Sequence, residues 1–540
     1  MREQWFCDNI IAGIGRNFAF YFGYRNLILY VLFILVFNIL NILIIKYFFK
    51  KADYAFVAAE SYVFDGGKKS DKSALVVLII SFCLYVVNIF SLDGTVFNAY
   101  DTMNISNIQN MRYGVKPVFD SVRFTPAGSI DHNVVYAITS NYRLIDCWNI
   151  IKQALVLFLL YRFFAFVPVA KRLLMLAVIN FIPAVFWMNN VIFQEQNILI
   201  FVLLSLLALN KYQQSSKPRF LLWFVLAMNV ALYIKETTVL FYAGLGAWLV
   251  LNAVFCEKIT FWSFRHPLKA IRTLPVEWLM FWSMFVYSTY LKLAEPIFDN
   301  RYLYSHARSL AETADVYKTE LVLTAAALLI MAVKFIRRRF SAMNLFGEGG
   351  VLGCAFIVFY VIFRLHIVPA SDYLLSYYLY LPAVFCTLYI FSNLSNKILW
   401  GLAAAGILTW SAKVNYDVWQ AQQGKDRRQM AEFIIAGAKD NNMSIFIRSK
   451  ELIDFQWWKT TGWISALKYA APDSKLKFKT DIPLYRFYLP ASDKYFETVA
   501  GQPEGGDYVL VNIKDEPDYV PDKSEVVCEN ASYRLYHIDD

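Results

Sequence analysis

The feature that most constrains this chain is a succession of apolar runs from about residue 27 to residue 411, each set off from the next by a short polar break. The runs fall at 27–48, 73–92, 149–167, 173–190, 196–210, 220–234, 237–255, 275–293, 319–336, 350–364, 373–392 and 397–411. A helix needs about 20 apolar residues to cross the hydrocarbon of a bilayer, so the shorter runs must extend through their aromatic flanks. Of 540 residues, 58% are hydrophobic and only 17% charged, too little polar surface to clothe a soluble globule of this size. Lipid must solvate much of the chain. The pattern predicts an α-helical polytopic membrane protein with about 11–13 transmembrane helices, followed by a small α/β domain.

Three segments follow from this. Residues 1–26 carry Asp8 and Arg16 within an aromatic stretch and lack a cleavage pattern, which suits an interfacial segment. Residues 27–411 form a multi-span membrane domain with one large loop at 93–148. From 412 to 540 the composition is that of a soluble domain, with a helix-like stretch Ala421–Ala438 and strand-like stretches Ser444–Arg448, Tyr508–Ile513 and Tyr533–His537.

Loop charge sets the sidedness, because loops rich in Lys and Arg stay cytoplasmic. One set of loops is basic, with Lys68, Lys69 and Lys72, then Lys171 and Arg172, then Lys211, Lys217 and Arg219, then Lys334 and Arg337 to Arg339. The other set comprises 93–148, the breaks at Glu195 and Glu236, the loop 294–318 and the break 364–372. Carrying the alternation to the end places 412–540 on the outer face with the long loop. The expected home is the inner (plasma) membrane of a bacterium, with the carboxyl-terminal domain outside. The net charge of +10 is spread over short loops and assembles no basic face, which argues against a nucleic-acid partner.

Several chemistries lack their signatures. There is no Gly-rich nucleotide loop ending in Lys and Ser or Thr, no Gly-x-Ser-x-Gly elbow and no His-Glu-x-x-His helix. The seven cysteines show no metal-site spacing, and neither do His132 and His306, so no metal ligands are assigned.

The outer loops hold the candidates. Asp101 follows an apolar span closely enough to hold its carboxylate at the membrane surface, where it is either a catalytic group or the cap of a helix beginning at Thr102 or Met103. The same loop carries Arg112, Arg123 and His132. Glu195 and Glu236 each sit between two apolar helices, where an acid is costly unless paired or wet, and Lys235 adjoins the second. Arg301, His306 and Arg308 share another outer loop, and Arg364 precedes Asp372. Guanidinium forks suit phosphate geometry, although tyrosine-anchored interfacial helices would carry the same residues.

Tyr100-Asp101, Arg112-Tyr-Gly114 and Arg123-Phe-Thr-Pro126 after a span, with Lys235-Glu236-Thr237 opening a later helix, resemble the GT-C superfamily of integral membrane glycosyltransferases. Lys235-Glu236-Thr237 looks like the Lys-Glu segment of its protein O-mannosyltransferase and aminoarabinose-transferase branches. The resemblance implies a sugar donor linked to polyprenyl phosphate and a glycan, lipid or protein acceptor reached from the outer face. It also implies Asp101 as the acid of the first outer loop and Glu195 as that of the second, both catalytic. Arg112, Arg123, His132, Lys235, Glu236, Arg301, His306, Arg308 and Arg364 are then candidate substrate-binding residues. A divalent cation is a possible cofactor; no other is implied. The chain departs from the pattern in an extra span before the loop and in a single Asp where many relatives carry an acidic pair. The rival reading is a transporter or flippase of a lipid-linked or anionic substrate, which the span count suits equally and which charges buried mid-span would favour. A scaffold whose outer domain binds partners leaves the acids of the separate outer loops unexplained.

Overall fold

The structure, a computed structural model, describes residues 35–43, 72–91, 131, 135, 142–165, 167–188, 194–215, 217–255, 274–294, 318–336, 345–362, 378–394, 396–422, 424–440, 442–448, 463–464, 467, 474–480, 487–489, 494–496, 499–513 and 516–539. Beyond a helical stretch at 35–43, the helices in chain order are α1 (Lys72–Ser91), α2 (Tyr142–Phe163), α3 (Val169–Ile179), α4 (Pro183–Met188), α5 (Glu195–Ser215), α6 (Pro218–Ile234) and α7 (Thr237–Phe255). They continue as α8 (Pro275–Ala294), α9 (Lys318–Ile336), α10 (Leu345–Tyr360), α11 (Tyr380–Asn393), α12 (Lys397–Gln422) and α13 (Gly424–Asp440).

The apolar runs become helices, with three differences that have local causes. The run 173–190 folds as two helices, because Pro183 has no N–H to continue α3 and instead opens α4 at a first-turn position. Helix α2 begins at Tyr142, so the polar end of the long first loop is already helical. Helix α12 runs through residue 412 to Gln422, since no Gly or Pro interrupts Ser411–Gln422.

One apolar core runs through the helices. Leu199, Leu203 and Leu206 of α5 share it with Phe224 and Met228 of α6, Phe241 and Leu245 of α7, and Val384, Phe385 and Leu388 of α11. The outside is apolar too. Val76, Ile79, Ile80 and Leu84 of α1, Phe281 and Phe285 of α8, Val322, Leu329 and Ile336 of α9, and Ile398 and Leu402 of α12 are exposed. Among the described residues, windows in two helices, Thr237–Val254 and Thr319–Ile336, are long and apolar enough to cross a membrane, and shorter apolar helices include Pro218–Ile234 and Tyr380–Asn393. Helices α7 and α10 approach through glycine: a Cβ on Gly244 would lie 2.5 Å from the Cα of Gly353, and one on Gly353 would lie 2.6 Å from the Phe241 carbonyl oxygen. Gly349 and Gly353, four residues apart, form the small-residue stripe that allows this.

Past α12 the chain forms a six-stranded sheet in the order β5-β2-β1-β6-β8-β7, with strands β1 (Ser444–Ile447), β2 (Lys477–Thr480), β5 (Val499–Ala500), β6 (Tyr508–Asn512), β7 (Ser524–Glu529) and β8 (Tyr533–Ile538). The first four strands are parallel, and β8 and β7 add antiparallel. Strands β3 (Phe487–Leu489) and β4 (Lys494–Phe496) pair separately. Alternation sorts the faces: Ile445, Ile447, Leu510 and Leu535 pack on Met430 and Ile434 of α13, whereas Phe446, Val509, Val511 and Tyr536 form the core of the opposite face. The chain is thus mostly helical, with a small mixed sheet at its carboxyl end.

Candidate functional site

The end of α6 and the starts of α5 and α7 come together at one end of the helical bundle. Lys235 leaves α6 in an extended conformation, and the Thr238 hydroxyl closes the turn by donating to the carbonyls of Lys235 at 2.7 Å and Ala231 at 3.1 Å. That staple turns the Lys235 ammonium back onto the first residue of α5, where it donates to Glu195 Oε1 in an ion pair with both side chains buried. The ammonium also lies 4.7 Å from the ring centroid of Tyr378, just ahead of α11. Glu195 Oε2 is buried without a hydrogen-bond partner among the described residues.

A second pair stands beside the first. Lys152, well inside α2 and 2% exposed, donates to Asp131 Oδ2 at 3.0 Å. The same oxygen accepts from Trp148 Nε1 at 2.9 Å, so two groups one helical turn apart on α2 clamp the Asp131 carboxylate. Gln196 Nε2 donates to the Asn149 carbonyl at 3.2 Å, tying the first turn of α5 to α2 one turn ahead of Lys152. Lys152 accordingly feels the charge of Glu195 as well as that of Asp131. Below it Gln153 donates to Asn180 at 3.0 Å and Asn180 to Ser81 at 3.1 Å, extending the polar contacts to α1.

Four charges thus alternate in sign, Asp131, Lys152, Glu195 and Lys235, in a setting where exchange with water is limited. A buried carboxylate–ammonium pair is costly to assemble and is a poor reason for stability alone. Among the described residues there is no group of three or more His, Cys, Asp or Glu placed to hold a metal ion.

Of the residues singled out in the sequence, the structure joins Glu195 to Lys235 and sets Glu236 beside them, partly exposed. Asp101, Arg112, Arg123, His132, Arg301, His306, Arg308 and Arg364 lie outside the described residues. Sequence reasoning noted Asp131 only as part of the first outer loop, without a role, and passed over Lys152 and Tyr378. For Lys152 a signal existed: a charge within the apolar run 149–167.

The bundle holds a further buried pair at its other end. Glu348 of α10 accepts from Lys334 at 2.7 Å and from the Tyr389 hydroxyl at 2.8 Å. Nearby Lys171 donates to the carbonyls of Ser392, at 3.1 Å, and Leu394, closing the end of α11.

No family model matches the chain, and no curated protein does either. Among solved structures the chain is similar to ArnT from Cupriavidus metallidurans bound to undecaprenyl phosphate, over 85% of this chain and 97% of that one, at 11% sequence identity and a TM-score of 0.45. A likeness of that degree concerns the course of the backbone and carries no argument about chemistry.

Proposed function

We propose that the chain is a polytopic membrane glycosyltransferase that moves a sugar from a polyprenyl-phosphate donor to an acceptor at the extracytoplasmic face. The observation that carries this reading is the buried array of Glu195, Lys235, Lys152 and Asp131 at the end of the bundle opposite Lys171, Lys334 and the Lys217–Arg219 turn. The bundle's exposed apolar faces suit lipid rather than water. Basic loops then sit at the cytoplasmic surface and the array at the outer one, where a lipid headgroup meets a water-soluble acceptor. The domain after α12 shares that outer side, and a bacterial inner membrane is the setting that fits.

In the proposed reaction the acceptor hydroxyl attacks the anomeric carbon, the carbon–oxygen bond to phosphate breaks, and Asp101 takes the hydroxyl proton as general base. Negative charge grows on the departing phosphate, which Lys235 stabilises, with Arg301 and Arg308 as further candidates. Glu195 and Glu236 hold sugar hydroxyls and orient Lys235. Arg112, Arg123, His132, His306 and Arg364 are assigned to substrate binding, and a divalent cation remains an open requirement of the assay.

Purified protein in detergent, given radiolabelled polyprenyl-phosphate sugar and candidate acceptors with and without a divalent cation, tests the reading. Asp101→Asn is expected to cost on the order of a hundredfold to ten-thousandfold in rate, and Lys235→Met about a hundredfold to a thousandfold. Wild-type turnover by both variants would remove the mechanism. A second reading, translocation of a lipid-linked or anionic substrate, draws on Lys152 and Glu348, charges buried within helices. Detergent abolishes compartments, so donor binding without product there would favour translocation.

A further inference from the structure

Lys152 is used by no step above, yet it is the most deeply placed charge of the array. Its position is fixed from both sides. Asp131 holds its ammonium at 3.0 Å, and the Gln196 bond to the Asn149 carbonyl brings the first turn of α5, with Glu195, against the same stretch of α2. An ammonium has three donors in a rotatable head, so it can serve Asp131 and turn toward a second carboxylate. Glu195 offers one: its Oε1 is taken by Lys235, and its Oε2 is buried without a hydrogen-bond partner among the described residues.

An entering phosphate creates a problem of charge. If Lys235 turns to the phosphate, Glu195 loses its counter-ion inside a dry site, and a lone buried carboxylate is strongly disfavoured. We propose that Lys152 is a positioning residue for anion exchange: when a phosphate group draws Lys235 away, Lys152 takes over the Glu195 carboxylate, kept within reach by Asp131, which Trp148 in turn holds. The array then accepts a phosphate monoester or diester without taking up a proton. The identity of the lipid-linked phosphate rests on the functional reading above; the exchange itself needs only a phosphate.

The charged groups at this end of the bundle, among the described residues, include Lys235 and Glu236 at the turn after α6, Lys152 of α2 and Asp131 ahead of it, and the same elements carry further titratable groups in Asp146 and Cys147 of α2, Tyr233 of α6, and Tyr378 and Tyr380 at the start of α11. With Lys152 gone, the cheapest way for Glu195 to release Lys235 is to bind a proton from solvent. Binding would then be linked to pH.

The test is phosphate binding by the purified full chain in detergent, with a short-chain polyprenyl phosphate in one arm and inorganic phosphate in the other, from about pH 8 to about pH 9, above the second ionisation of both phosphates so that the ligand itself exchanges no proton. Calorimetry in buffers of differing ionisation heat counts the protons. The wild type is expected to bind with an affinity that changes little over this range and with no net proton uptake. Lys152→Met is expected to take up close to one proton per phosphate and to lose about tenfold in affinity for each unit of rising pH. Lys152→Arg restores the flat profile. Where Lys152→Met fails to fold, the double change Asp131→Asn, Lys152→Met removes both partners of that pair, leaves no lone buried charge between them, and should show the same proton uptake.

A flat profile without proton uptake in a folded variant lacking Lys152 overturns the exchange while leaving the glycosyltransferase reading standing. Binding of inorganic phosphate alone, with the proton uptake as described, supports the exchange and counts against a polyprenyl ligand. Failure of the wild type to bind either phosphate overturns both.

Discussion

The two buried lysine–glutamate pairs of the bundle are alike in composition and opposite in design. At one end Lys235 and Glu195 meet across a break between helices, beside a second ion pair, whereas one oxygen of the glutamate lacks a hydrogen-bond partner among the described residues at both ends. At the other end Glu348 is held by Lys334 and by Tyr389, all three on regular helices, and Lys334 lies 5.5 Å from the Tyr389 ring centroid. Tyr378 and Tyr389, the aromatic partners of the two lysines, are separated by roughly 16 Å of helix rise along and just before α11. The first pair sits where the chain must turn, so its partners can be exchanged without unwinding a helix. The second is a clamp between α9, α10 and α11, and its value lies in the packing it holds.

The largest effect that can break this comparison comes from the clamp. Lys334→Met leaves Glu348 buried without its ammonium and is expected to cost about 3–5 kcal/mol of stability, the usual penalty for a lone charge inside a fold. Thermal unfolding in detergent should register it, while turnover per folded molecule stays close to wild type. The contrast with Lys235→Met is the point. If Lys334→Met instead abolished turnover at unchanged stability, the two ends would have to be treated as one functional unit.

The connection between the ends can be tested next. Helix α7 opens beside Lys235 and packs along α10, which carries Glu348, through the Gly244–Gly353 contact. In lipid this packing has little hydrophobic drive and depends on close backbone approach. Gly353→Ala would set a methyl 2.6 Å from the Phe241 carbonyl oxygen and is expected to cost about 1–3 kcal/mol through forced separation of the helices. Gly401 and Gly406 of α12 supply the control, since a Cβ at either meets nothing within 4 Å. Alanine there should be neutral or mildly stabilising, because glycine is the poorer helix former. Equal losses at Gly353 and Gly401 would show that helix propensity, not packing, had been measured.

How much of this was legible beforehand differs by level. Most helix positions could be read from the apolar runs, and strands at 444–447, 508–512 and 533–538 from their composition and alternation. Strand β7 could not, because at the sheet edge it exposes Val526 and Val527 and loses the in-and-out pattern. At the site, Glu195 and Lys235 could be picked individually as charges in breaks between apolar helices. Their pairing could not be read, being a contact between α5 and the end of α6 that depends on the Thr238 staple. Lys152 was hidden for a different reason: it stands near the start of the apolar run 149–167 beside the polar Asn149 and Gln153, and a lysine near the end of a span reads as one that snorkels to the surface.

The smallest expected effect belongs to the carboxyl-terminal domain, where an ion pair stands partly in water. Lys479 of β2 donates to Asp507 and to Glu504, each at 2.8 Å, and the Glu504 amide donates to Asp507 at 2.8 Å. Burial alone would raise the Asp507 carboxyl, but the bonds from Lys479 and the Glu504 amide outweigh it and hold the group below the usual carboxylate range. Hydrogen bonds to Asp507 and Glu504 in turn raise the Lys479 ammonium above its ordinary value. The stabilisation from Asp507 is therefore present above the ordinary aspartate value of about 4 and is lost as pH falls through the depressed folded value. That from Lys479 is present below about 10.4 and lost as pH rises through the raised one. Amide exchange at β2 and β6 in the full chain should be slow and nearly constant between these limits. Lys479→Met is expected to cost on the order of 1 kcal/mol near neutrality and to move the acid limb toward higher pH, because the carboxyl loses its main partner while remaining buried. An acid limb that stays in place would mean that the Glu504 amide and the Ser444 hydroxyl set the Asp507 charge, and that even this wet pair is not held by its lysine.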